Sequence, residues 1–214
     1  MGFLVSVLQH TLTTLYEIFG ISLVVAVLFM FAWLYCKEKG IKQGIRNWIE
    51  GVRTSLNFRK MFLLAFYVAM ILNKTLFCRK IWNQPFKNII GVWGFYDNGA
   101  LYTENVENIM LFLPYLALLM WALQDELWRE KPMTGKNYWL TVLAISFGSS
   151  LTIEMLQLFL KVGAFQISDL VFNTLGGVLG AWLYWVLYHK YSSKNTGSAT
   201  DKAEPETANQ SSEM

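Results

Sequence analysis

Four polar side chains stand where hydrocarbon is expected. Glu154, Gln157, Asp169 and Asn173 interrupt residues 149–180, SSLTIEMLQLFLKVGAFQISDLVFNTLGGVLG, which otherwise read as two apolar helices joined by a short loop. Ionisable and amide groups are costly inside a membrane span, so each needs a partner, a wet cavity or a task. Glu154 and Gln157 are three residues apart and Asp169 and Asn173 four, so each pair shares one helical face. A deep Glu154 and an Asp169 at the wetter edge of its helix could divide into general acid and general base. Amides at Gln157, Asn173 and Asn108 could hold phosphate or acyl oxygens. The same residues could also serve only as interhelical glue, at roughly 0.6–2 kcal/mol per contact.

Other chemistries find little support. Ser149, Ser150 and Ser168 have no His near them in sequence, because His10 and His189 lie towards opposite ends of the chain. Cys36 and Cys78 are the only two cysteines, and no Cys/His spacing of a metal site occurs. No metal is assigned, and no motif specifies a cofactor.

The elements that must carry these residues follow from composition. Of 214 residues, 54% are hydrophobic and 15% charged, and several apolar runs approach the roughly 20 residues that cross a bilayer. The expected fold is an all-α, polytopic membrane helical bundle of about five transmembrane helices. Spans are expected near 16–35, 61–77, 106–123, 138–160 and 170–187, with residues 1–15 as an interfacial lead-in. Residues 41–57 repeat Ile, Trp and Leu at helical spacing among basic residues. Such a segment can lie on the anionic inner leaflet or pack as a cytoplasmic loop helix. Lys74, near the end of the second span, is expected to snorkel towards the headgroups.

Residues 78–104 form a long aromatic loop with Trp82, Phe86, Trp93, Phe95, Tyr96 and Tyr102, and Asp97-Asn98-Gly99 marks a turn. A hairpin of 92–96 against 100–102 fits that turn. The loop reads as embedded at the interface, with a lid over the polar residues as the alternative. Residues 191–214 are polar and read as a disordered tail.

Lysine and arginine set the orientation. Thirteen fall on one side of these spans and five on the other, counting Lys74 at the edge, although the net charge is only +3. The positive-inside rule then places the N-terminus out and the C-terminus in. The basic balance is explained by orientation, and no motif of a nucleic-acid reader is present. Glu154, Asp169, Asn173 and Asn108 are thereby expected at one outer level on three helices. Gly176, Gly177 and Gly180 follow directly, and the GxxxG spacing of Gly176 and Gly180 permits close helix packing.

NIMLFLPY at 108–115, EMLQ at 154–157 and GAFQISDLVFNTLGGVLG at 163–180 together resemble the VanZ-like family of bacterial membrane proteins. The resemblance covers about residues 105–190. It implies a multi-pass protein of the bacterial cell membrane, in a family whose founding member gives resistance to the glycopeptide teicoplanin. That family usually carries an acidic residue near Gln166 and often one at Ser168, so Glu154 and Asp169 are the acids that remain here.

Two functional readings follow. In one, the cluster binds an outer-leaflet lipid, a lipid-linked cell-wall precursor or the antibiotic's target. In the other, Glu154 and Asp169 act as the acid/base pair of an enzyme on a lipid-linked or phospholipid headgroup. The absence of an evident inverted repeat makes a transporter less attractive.

Overall fold

A computed structural model describes residues 2–37, 41–78, 88–94, 96–97, 100–129 and 135–200. Helix α1 spans Gly2–Lys37 and α2 Ile41–Thr54; α3 spans Leu56–Leu72 and continues into a π turn at Asn73–Phe77. A short hairpin follows, β1 at Tyr96–Asp97 and β2 at Ala100–Leu101, then α4 at Glu104–Leu127, α5 at Gly135–Leu160 and α6 at Ile167–Thr200. Among the described residues, five stretches are long and apolar enough to cross a membrane: Leu15–Leu34, Leu56–Phe77, Glu104–Leu127, Gly135–Leu160 and Ile167–Lys190. The chain is an all-α membrane bundle.

The packing follows from which helix faces are apolar without interruption. On α4, Leu111, Phe112, Leu116, Leu119 and Met120 are buried, and Leu64 and Ile71 of α3, Tyr138, Val142 and Ile153 of α5 and Ala181 of α6 join that core. Helix α4 is the hub, flanked by α6 on one side and α3 on the other. Pro114 lies within it, yet the helix runs on, because a single missing N–H can be tolerated in a packed span. Among its described side chains, helix α1 buries a stripe of every fourth residue, Ile18, Ser22, Ala26 and Met30. It therefore rests on α3 with most of its apolar surface left outward.

Several element boundaries differ from the sequence reading. The lead-in and first span are one helix of 36 residues. At about 1.5 Å per residue, that is longer than hydrocarbon requires. Ser55 divides the amphipathic segment from α3, since its Oγ accepts from Phe58 N at 3.2 Å and caps the new helix. Arg59 and Lys60 accordingly lie inside α3 rather than before it. On α2, Ile45 and Ile49 stay exposed, while Trp48 turns edge-on to Phe58 and Phe62.

The hairpin is also shorter than expected, pairing Tyr96 with Leu101 and Asp97 with Ala100. The carbonyls of Val92 and Gly94 accept instead from Asn105 Nδ2, at 2.8 and 3.1 Å, which leaves the 92–94 stretch out of the strand. Helix α6 runs on to Thr200, into the stretch read as tail. Once a helix is nucleated, each added residue costs little. Residues 201–214 lie outside the described residues, as do Trp82, Phe86 and Phe95.

Candidate functional site: a buried polar cluster at one end of the bundle

The α4–α6 contact sets the position of everything polar above it. Gly176 faces Ile109 and Gly180 faces Leu113, so the two helices run parallel with glycines against backbone. A Cβ on Gly176 would lie 2.5 Å from Ile109 O, and one on Gly180 1.9 Å from Leu113 O. Gly177 faces α5 as well as α4, since its Cβ would fall 2.1 Å from Ser146 Oγ and 2.9 Å from Leu116 Cδ2. Small residues let backbones approach where there is no hydrophobic force between helices in lipid. One turn above Gly177, this closeness brings Asn173 of α6 to Ser150 of α5, with Nδ2 donating to Oγ at 3.1 Å.

The other singled-out residues surround that bond. Glu154, Gln157 and Asp169 are each 1% exposed, Asn173 4% and Asn108 8%. Glu154 Oε2 accepts from the backbone N–H of Gln166 at 3.1 Å, which folds the α5–α6 loop back over the carboxylate. Lys161 and Gly163, at φ 55° and 119°, supply the left-handed turn that this reversal needs. Gln157 Nε2 donates to Thr75 O at 2.9 Å, tying α5 to the π turn. Asn108 lies on α4 beside Ile109, at the level of Gly176 rather than of Asn173, and its Nδ2 finds no partner among the described residues.

Asp169 does not lie at a wet edge. The chain before the hairpin closes over the start of α6: Ile167 N donates to Ile89 O at 2.8 Å and Ser168 N to Ile90 O at 3.3 Å. Gly91, at φ 76°, sits so near Ser168 that a Cβ would fall 1.9 Å from its Oγ. The small Ser168 is what allows that approach. Trp93 adds a ring contact to Phe172 at 6.0 Å. Glu154 and Asp169 are thus equally buried.

Sequence reasoning missed the contribution of α3. In the π turn, Asn73 Nδ2 donates to Ser22 Oγ of α1 at 2.8 Å, Lys74 Nζ pairs with Glu107 Oε2 of α4 at 2.9 Å, and Thr75 O receives Gln157 of α5. Three successive residues thus reach three helices. Thr75 O is one of the carbonyls a helix end leaves open, which is why a side chain can claim it. Lys74 turns inward instead of snorkelling, because a carboxylate at its own depth is a better partner than distant headgroups. Thr103 Oγ1 holds the other oxygen of Glu107 at 2.7 Å. The available signal was charge matching: Lys74 and Glu107 are opposite charges at the same end of consecutive spans. Among the described residues, no group of three or more His, Cys, Asp or Glu comes together as metal ligands.

Five apolar helices enclosing a buried polar cluster at one end define a multi-pass membrane protein, in keeping with the bacterial cell membrane. The family model described as VanZ/LLP1 matches residues 1–188, so the chain belongs to the VanZ/LLP1 family. The match takes in α1 to α3, beyond the stretch that carries the resemblance in sequence. The chain is 30% identical over 116 residues to Protein VanZ of Enterococcus faecium, across 49% of this chain and 65% of that relative. It thus spans a little under two thirds of that relative's length. No solved structure matches the chain.

Proposed function

We propose that the polar cluster binds the headgroup of an outer-leaflet lipid or lipid-linked cell-wall precursor, and that the protein thereby contributes to teicoplanin resistance. The reading is carried by three buried amide atoms of that cluster that have no hydrogen-bond partner among the described residues: Asn108 Nδ2, Gln157 Oε1 and Asn173 Oδ1. A buried polar atom left unpaired costs about 1–3 kcal/mol, so residues kept only as glue would be expected to pair more completely. One donor and two acceptors match the mixed donor and acceptor pattern of a sugar, amide or hydroxyl-bearing headgroup. The charge count supports an outward-facing cluster, and membership of the VanZ/LLP1 family supports the link to glycopeptides. Binding without turnover is favoured over catalysis, because Glu154 and Asp169 share one degree of burial and Glu154 is already engaged by the Gln166 backbone.

Asn108→Leu tests this reading. The leucine is close in volume and removes a donor that bonds nothing, so abundance and melting temperature in detergent should hold or rise. Teicoplanin protection in a susceptible host should fall. Retained protection at normal abundance would reject the headgroup reading at this residue. Mass spectra of cell-wall and phospholipid species should match with and without expression; an altered species would show turnover instead.

A further inference from the structure

Helices α3 and α5 meet at the π turn, where Gln157 holds Thr75 O, and diverge below it. The gap is a crevice of about 420 Å³, walled by Val68 and Ile71 of α3 and by Ile145, Gly148 and Ile153 of α5, with Tyr115 of α4 as its floor. It is open to one side and lies wholly within membrane-spanning segments, so it is continuous with the surface that faces lipid.

Gly148 makes this crevice unusual. Gly176, Gly177 and Gly180 are glycines because backbone or side-chain atoms crowd them, whereas a Cβ on Gly148 would meet nothing within 4 Å. A glycine inside a helix weakens it relative to alanine. Here that weakness secures no close packing; it secures empty volume. The floor is tidy as well, with the Tyr115 hydroxyl and Ser149 Oγ bonded to each other at 2.9 Å, so the crevice presents little unmet polarity to a hydrocarbon chain. Gln157 lies one turn beyond Ile153, which lines the crevice, on the same face of α5. Gln157 is 1% exposed, and its Oε1 has no partner among the described residues. A chain with a polar head would place the chain in the crevice and the head at this oxygen.

We propose that the α3–α5 crevice seats one acyl chain of a phospholipid from the leaflet on the cluster's side, with its polar head reaching Gln157. The proposal rests on the reading that the cluster receives a lipid headgroup, and it names the lipid class. A phospholipid is the occupant because the crevice opens sideways into the bilayer, where acyl chains are the surrounding medium.

The test is lipid retention by the full chain, extracted from its own membranes in mild detergent and measured by native mass spectrometry. The parent protein should carry about one phospholipid per chain. Gly148→Leu places its Cβ where nothing lies within 4 Å and extends into the crevice, and should lower retention at least tenfold at an unchanged melting temperature. Gly20→Leu adds the same side chain on the exposed face of α1, where nothing lies within 4 Å, and should retain the lipid. Should Gly148→Leu fold poorly, Gly148→Ala gives the same comparison and should retain measurably less than the parent. Equal retention in the parent and the Gly148 variants overturns the proposal. So does a polyprenyl lipid as the bound species, or a parent protein carrying none. Failure of the headgroup reading appears separately, as undiminished teicoplanin protection in Asn108→Leu.

Discussion

Gly180→Ala places one methyl group where the structure has least room for it. The new Cβ would sit 1.9 Å from Leu113 O and 2.8 Å from Leu113 C, against 3.4 Å for ordinary contact. Those atoms are backbone, so no rotamer change can relieve the clash; α4 and α6 must part. Overpacking typically costs about 1–3 kcal/mol, and a backbone obstacle belongs at the upper end of that range. The same separation draws Asn173 away from Ser150. For a chain of this size, each kcal/mol moves the melting temperature by about 2–4 °C, so a fall near 6–12 °C is expected in detergent. Gly176→Ala, with its nearest atom at 2.5 Å, should fall less. Gly148→Ala meets nothing within 4 Å and should match the parent or gain up to about 1 kcal/mol from helix propensity. Thermal unfolding followed by circular dichroism reads all three. If Gly180→Ala melts with Gly148→Ala, the close α4–α6 contact is not what holds the cluster together.

Lys74→Met should strand the Glu107 carboxylate at a cost of up to about 3–5 kcal/mol, and adding Glu107→Gln should recover much of it. A double-mutant cycle in detergent checks this; additive losses would show that the pair at 2.9 Å is not coupled. Asn105→Ala removes two bonds that hold the carbonyls of Val92 and Gly94, each worth roughly 0.5–1.5 kcal/mol. Hydrogen exchange across residues 88–94 should quicken about tenfold, whereas unchanged exchange would mean the segment is held by other contacts. Ser22→Ala leaves the Asn73 amide without its acceptor on α1, and a loss of about 1–3 kcal/mol is expected. Melting of the variant beside the parent measures that bond, and equal melting would show that α1 is held by its apolar stripe alone.

What the sequence determined by itself was whatever depends on local composition and period. Apolar runs of span length made the fold all-α with five membrane spans, because a backbone in hydrocarbon must satisfy its own hydrogen bonds. Glu154, Gln157, Asp169 and Asn173 stood out against those runs, and the spacing of Gly176 and Gly180 announced a close contact without naming the partner. Tertiary structure decided what touches what. That Gly180 meets Leu113, that the π turn sends Asn73, Lys74 and Thr75 to three different helices, and that Asp169 is covered by the chain before the hairpin are facts about depth and rotation between helices. Helical period gives a residue's face but not the rotation of one helix against the next, so Lys74 read as a snorkelling edge residue until Glu107 was placed opposite it. Gly148 shows the same division from the other side. In sequence it is one more small residue in a span, and only the surrounding atoms show that its missing side chain leaves space rather than contact.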